Sequence, residues 1–297
     1  MIEKQHRNLA IVAHDAGAAA HIFSWLDSGF ININECRFCL DGPAKKLFKS
    51  LKPKIKLFSI YEVLAHADTL ISGTGWSSSL EHNARALAKE KGIYSVAVID
   101  HWLNYSERFI RKDIQVLPDT IWVSDEYAHL EAKSCFPDIE IVQQRNDYLK
   151  SNIEAVLAHS YVKQEESTNV LYLLEPIRDI WADDAISGEF QALDYFINSI
   201  PSLDFGKKYS IILRPHPSES LNKYDKWIES LDSPHIRIEK EQSLPELLAW
   251  SDIVVGCETY AMVIALSVDK RVISSLPKNA HSCRLPHENI ERLNQIS

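Results

Sequence analysis

Apolar runs and amphipathic runs alternate along the whole chain, which predicts βα units and mainly parallel strands. In the first half, strands are expected at 8–14, 36–40, 55–58, 69–72, 94–99, 120–124 and 139–142. Helices are expected between them at 18–26, 43–51, 61–67, 79–91 and 126–135. In the 79–91 segment Leu80, Ala84, Leu87 and Ala88 fall on one face at helical spacing. Residues 147–167 read as a polar helix whose end, from Lys163 to Ser167, is a linker. The pattern then restarts, with strands at 169–174, 209–213, 236–238, 252–255 and 271–275. Helices are expected at 185–200, 223–230, 244–250 and 260–268, and a terminal helix at 287–296. The expected fold class is α/β: two Rossmann-like domains, 1–160 and 161–297, with mainly parallel sheets facing across a cleft.

Polar residues of unusual chemistry collect just past the C-terminal ends of these strands, where open α/β sheets bind ligands. The most informative stretch is Arg214-Pro215-His216-Pro217. It presents one fixed cation and one titratable imidazole at a strand tip, a pair suited to an anion such as phosphate. Glu175 and Glu258-Thr259 end two other strands of the same half. A carboxylate at such a tip can accept the hydroxyls of a ribose, and the helix start behind Thr259 favours an anion; a capping Thr is the simpler alternative.

In the first half the tips carry His14-Asp15, the run Gly73-Thr74-Gly75-Trp76-Ser77, and Asp100-His101 followed by Trp102, Asn104, Tyr105 and Arg108. His14 and Asp15 read either as a hydrogen-bonded pair or as a helix with an Asp N-cap. Asp100 reads as a catalytic group or as the ion-pair partner of Arg108. Gly73 and Gly75 make two thirds of a dinucleotide fingerprint, with Ser78 where a third small residue should stand. Ser78 and Glu81 also have the spacing of a capping box. Trp76, Trp102, Asn104, Tyr105 and Arg108 could grip a sugar or a ring. Asp183 and Asp184 read as a cap for the 185–200 helix rather than as metal ligands.

Composition narrows the field. The chain of 297 residues is 45% hydrophobic and 25% charged, ordinary for a globular protein with material for two cores. A net charge of −9 argues against nucleic acid as a partner, which calls for a basic face. Five scattered cysteines include Cys36 and Cys39 at zinc-like spacing, but no second pair follows, so no metal site is expected. The first residues lack the apolar core of a signal peptide, and no run of about 18 apolar residues occurs, so a cytoplasmic protein without an integral membrane segment is expected. Zinc-protease, α/β-hydrolase and P-loop motifs are missing from the sequence.

Arg214-Pro215-His216-Pro217, followed by the run from Ser251 to Thr259, resembles the C-terminal domain of bacterial surface-polysaccharide glycosyltransferases of the twin-Rossmann GT-B fold. Within these it is similar to the sialyltransferase, polysialyltransferase and capsular Kdo-transferase group. More distantly, it is similar to the glycerophosphate transferases of teichoic acid synthesis. The resemblance implies that His216 supports the donor phosphate and that the Thr259 hydroxyl binds it too. It implies a carboxylate base within an acidic motif ending in Gly, for which His14-Asp15-Ala16-Gly17 is an approximate match. Glu258-Thr259 departs from the pattern, standing where paired Ser or Thr is usual.

The expected function is transfer of a sugar, of a nonulosonic acid or Kdo-like type, from a nucleotide donor to a cell-surface polysaccharide or its precursor. The nucleotide-sugar is a substrate, and no cofactor or metal is expected. Arg214, His216, Glu175, Glu258 and Thr259 would hold the donor. His14, Gly73, Thr74, Gly75, Trp76, Ser77, Asn104, Tyr105 and Arg108 would face the acceptor. Asp15, Asp100, His101 and His216 are the catalytic candidates. A soluble chain leaves room for peripheral association with a glycan assembly complex. Two rivals remain: a sugar-nucleotide epimerase or hydrolase on the same fold, although the Gly-Gly-x-x-Glu-Glu stretch of the epimerases is missing, and a non-catalytic nucleotide-sugar-binding subunit.

Overall fold

The computed structural model describes residues 8–161, 167–177, 181, 186–206, 208–216, 219–220, 222–231 and 233–296. Pro217, Asp183, Asp184 and residues 163–166 of the expected linker lie outside the described residues. The chain forms two compact units, Met1–Lys150 and Ser151–Ser297.

The first unit is built on a six-stranded parallel sheet. In chain order its elements are β1 (Leu9–Ala13), α1 (Ala16–Asp27), β2 (Cys36–Leu40), α2 (Gly42–Leu51), α3 (Ile60–Leu64), β3 (Thr69–Ser72), α4 (Leu80–Lys91) and β4 (Tyr94–Val98). A short antiparallel hairpin follows, β5 (Ile110–Arg111) and β6 (Ile114–Gln115), then β7 (Thr120–Val123), α5 (Glu126–Cys135), β8 (Glu140–Gln143) and α6 (Asp147–Leu157). The sheet order is β2-β1-β3-β4-β7-β8.

Strand β1 is buried along its whole length because helices cover both faces of the sheet. Leu9, Ile11 and Ala13 pack in one core with Ile22, Trp25 and Phe48. Ala10 and Val12 pack in the other with Val63, Ala84 and Ala88. Gly92, at φ +66°, ends α4 in the left-handed conformation that a helix C-terminus favours.

The second unit repeats the plan with a different order. Its elements are β9 (Ser167–Leu173), α7 (Gly188–Ser199), β10 (Lys208–Arg214), α8 (Asp225–Ser230), β11 (Ile236–Ile238), α9 (Leu244–Trp250), β12 (Ile253–Gly256), α10 (Tyr260–Leu266), β13 (Arg271–Ser274), β14 (Ile290–Arg292) and α11 (Leu293–Ile296). All its neighbouring strands are parallel, in the order β11-β10-β9-β12-β13-β14. Val170, Tyr172, Phe196, Ile211 and Leu213 lie in its core.

Two expectations need correcting. The 55–58 segment forms no strand; Leu57 makes only an isolated bridge to Phe38, and Ser59 at once opens α3 through a capping box with Glu62. The 287–296 segment is not one helix, because Ile290–Arg292 pairs in register with Val272–Ser274 as the edge strand β14. There a tertiary partner overrides local helix propensity.

In each sheet the strand order reverses once, between β1 and β3 in the first and between β9 and β12 in the second. The crevice outside the carboxyl ends at such a reversal is the ligand position of open α/β sheets.

Candidate functional site

At the reversal in the first unit, the tips of β1 and β3 bring His14, Asp15 and Ser77 together. His14 Nδ1 lies 2.7 Å from Asp15 Oδ1. The Ser77 hydroxyl donates to the same carboxylate oxygen at 2.6 Å and lies 3.2 Å from His14 Nδ1. Asp15 is the N-cap of α1 by position, yet its side chain makes no capping hydrogen bond. The paired reading is therefore the one realised. The Asp15 side chain keeps 31% of its surface exposed.

Glycine makes this packing feasible. A Cβ at Gly75 would overlap the Asp15 carboxylate, one at Gly17 the Asp100 carboxylate, and one at Gly73 the carboxylate of Glu81. Three acids thus lie directly on bare backbone. Gly42, at φ +51°, receives the His14 ring in the same way.

Asp100 and Arg108 form the ion pair that was its simpler reading, with Nη1 3.0 Å from Oδ1. Arg108 also donates to the Leu103 carbonyl (2.9 Å) and to Thr74 Oγ1 (3.2 Å). Burial opposes charge on Asp100, but Arg108, His101 and His21 outweigh it and hold the carboxyl below its usual range. Arg108 lies 5.7 Å over the ring of Trp76, which is 51% exposed. The buried Thr74 hydroxyl donates to the Val98 carbonyl at 2.9 Å. Asn104 is exposed and takes a positive φ of 57°. His101 is partly buried, 5.3 Å from the ring of Trp102.

Two aromatic candidates lie elsewhere than expected. Tyr105 is only 3% exposed and its hydroxyl donates to the Ala128 carbonyl, so its ring belongs to the core. Trp102 is buried, with its indole N–H on the Asp125 carboxylate at 3.0 Å. The run after β4 alternates inward and outward, and sequence alone did not tell which aromatics face out.

Glu81 and Arg85 on α4 were missed as site residues. The capping box does not form: Ser78 Oγ accepts from Leu80 N at 3.1 Å, while Glu81 Oε1 accepts the backbone N–H of His14 at 3.0 Å. Arg85 is fully buried and donates to Ser72 Oγ (3.1 Å) and the Gly73 carbonyl (2.8 Å), tying α4 to the end of β3. Arg111, from the hairpin, donates to the Gly75 carbonyl at 2.5 Å. A charged pair at i, i+4 inside an amphipathic helix was the available signal.

In the second unit the reversal is dominated by Glu175. Its carboxylate accepts the backbone N–H of Cys257 at 2.6 Å and that of Glu258 at 3.1 Å, just before α10. Burial pushes this carboxyl up to about 7, against the pull of those N–H groups. Glu258 is likewise engaged: Arg284 Nε donates to it at 3.1 Å and His281 Nε2 lies 3.1 Å away. Burial opposes its charge, and the Arg284 and His281 contacts more than offset that, so the carboxyl stays below its usual range. Both carboxylates expected to meet a ribose are therefore held by protein groups. Thr259 is the N-cap of α10 but its side chain makes no capping bond.

One strand away, Arg214 ends β10. Its Nε is buried and has no hydrogen-bond partner among the described residues. Burial lowers the proton affinity of Arg214, and burial together with the Arg214 charge lowers that of His216, against the opposing charge of Glu219. Glu219 is fixed from the other side, accepting from Lys223 Nζ and the Tyr224 hydroxyl, both at 2.6 Å. Among the described residues no group of three or more His, Cys, Asp or Glu is placed to hold a metal ion. No described helix is long and apolar enough to cross a membrane.

Two six-stranded, all-parallel sheets with these strand orders carry the site residues at their carboxyl edges. The fold is GT-B. A protein of Listeria monocytogenes described as a UDP-N-acetylglucosamine 2-epimerase is similar at a TM-score of 0.58 and 11% sequence identity, over 90% of this chain and 79% of that one. MurG of Acinetobacter baumannii is similar at a TM-score of 0.50 and 10% identity, over 90% and 78% of the two chains. No family model and no curated protein sequence matches the chain. Likeness at this identity concerns the fold, and one fold hosts many chemistries, so residue roles rest on the geometry above.

Proposed function

We propose that this chain is a glycosyltransferase that moves a sugar from a nucleotide donor to a cell-surface polysaccharide or its precursor. The observation that carries the reading is the buried Nε of Arg214 at the tip of β10, which has no partner among the described residues, two residues before His216. A buried guanidinium nitrogen without an acceptor is costly, and a donor phosphate supplies the acceptor. The His-Pro element supports a nonulosonic acid or Kdo-like sugar on that donor.

In the reaction the acceptor hydroxyl attacks the anomeric carbon. A new C–O bond forms and the bond to the donor phosphate breaks, its electron pair leaving with the phosphate. Arg214 and His216 meet the charge that develops there, the point at which electrostatic stabilisation counts most, and this role requires no divalent ion. The acceptor proton passes to Asp15, which His14 and Ser77 hold in one orientation. Trp76 offers an exposed ring for sugar stacking. Asp100, neutralised by Arg108, serves to orient that arginine rather than to take the proton.

The test is a thermal-shift screen against CMP-, CDP-, UDP-, GDP- and dTDP-sugars, since a ligand bound only by the native state raises its apparent stability. A stabilising donor that loses its effect in Arg214→Ala supports the reading; wild-type stabilisation in that variant overturns it. The Listeria neighbour's description favours a second reading, a sugar-nucleotide epimerase. Product analysis separates the two: sugar found on an acceptor, or altered sugar released.

A further inference from the structure

Between the tips of β1 and β3 lies a titratable group that no step above uses. Glu81, in the first turn of α4, is completely buried. Oε1 accepts the backbone N–H of His14 at 3.0 Å, while Oε2 is buried without a hydrogen-bond partner among the described residues. The same carboxyl rests on the Gly73 backbone, where a Cβ would collide with it. One side chain therefore links the helix that follows Ser77, the end of β3, and the Ala13–His14 peptide at the end of β1. A carboxylate with one oxygen unsatisfied in a packed interior is expensive, and a proton removes most of that cost.

We propose that Glu81 is a proton-carrying positioning residue: it holds the Ala13–His14 peptide through the His14 N–H, and its ionisation sets the charge that Asp15 experiences. Calling the neighbouring site catalytic rests on the reading above; the proton linkage between Glu81 and the β1 tip does not. The groups facing this region are His14 and Asp15 beyond β1, Asp100 and its partner Arg108 beyond β4, and Arg85 one turn along α4. Burial pushes the Glu81 carboxyl up to about 7; the His14 N–H and Arg85 pull it down, and the charges of Asp15 and Asp100 push it further up. Below that pH Asp15 has a neutral neighbour. Above it Glu81 adds a second negative charge beside the β1 tip.

The experiment follows the backbone amide of residue 14 by NMR in the isotopically labelled full chain, from about pH 5.5 to about pH 8.5, and needs no substrate. The amide donates to the Glu81 carboxyl, so its shift should inflect near pH 7. Glu81→Gln, isosteric and neutral, should abolish that inflection and leave the amide near its low-pH wild-type position. In His14→Ala, where no imidazole titrates but the residue-14 N–H remains, the inflection should persist. An inflection unchanged in Glu81→Gln, or lost in His14→Ala, overturns the proposal. Either variant decides the matter if the other fails to fold. A chain that binds no nucleotide-sugar but shows this titration would defeat the proposed function and leave the Glu81 linkage standing.

Discussion

The two units share one plan and put it to opposite electrostatic use. Each is a six-stranded parallel sheet whose order reverses once, with a glutamate at the reversal pushed up to about 7 by burial. In the second unit that glutamate collects the backbone N–H groups ahead of α10, and Glu258 beside it is held by Arg284 and His281. The acids there are spent, and Arg214 keeps a buried nitrogen without a partner among the described residues. In the first unit every such cation has at least one partner at the strand tips: Arg108 on Asp100, Arg85 on Ser72 and Gly73, Arg111 on Gly75, although Arg85 Nη2 and Arg111 Nε are also buried without a partner among the described residues. What stays exposed is the carboxylate of Asp15.

The contrast breaks most visibly at Asp15. Asp15→Asn should lower turnover about 10²- to 10⁴-fold, the range of general-base removal, yet leave nucleotide-induced thermal shifts unchanged. A lost thermal shift would show that the first unit also holds the donor. Arg214→Ala should do the reverse, removing nucleotide stabilisation and lowering turnover about 10²- to 10³-fold, as loss of a charge-stabilising donor does. Steady-state kinetics with the donor from the thermal-shift screen would read both.

A subtler contrast lies in stability against pH. Both buried glutamates hold protons in the folded state that an unfolded chain, with an ordinary carboxyl near 4.5, releases earlier. The stabilisation is present in full below about pH 4.5 and is lost as pH rises to about 7, on the order of 3 kcal/mol for each group. Denaturant melts across that window should show stability falling with pH, less steeply in Glu175→Gln and least in the double variant with Glu81→Gln. An unchanged slope would mean that neither acid is protonated when folded. The smallest effect is expected at Tyr105→Phe: about 1 kcal/mol or less of stability from one hydrogen bond, and no change in the acceptor KM, because the ring is in the core.

Most of this plan was legible from the alternation of apolar and amphipathic runs, because strands covered on both faces must be apolar throughout. Of the two elements misread, 55–58 is cut short by the local cap that opens α3 at Ser59, and 287–296 depends on pairing with β13. At the site, the strand tips announced themselves through His14-Asp15, Gly73 to Ser77, Asp100 and Arg214. The choice between a capping role and a paired role did not, since Asp15 and Thr259 have capping positions without capping bonds. Glu81 was the reverse case: its spacing from Ser78 suits a local cap, and only the fold brings it to His14.

The bare backbone at Gly17, Gly73 and Gly75 has a consequence for how such a site can change over generations. With no volume left between peptide and acid, even alanine at one of these positions must evict the carboxylate lying on it. A substitution of the glycine therefore acts first on the acid, so at these positions a backbone residue and a carboxylate are coupled in what they can become. Trp76 and Asn104, which are exposed, stand outside that coupling.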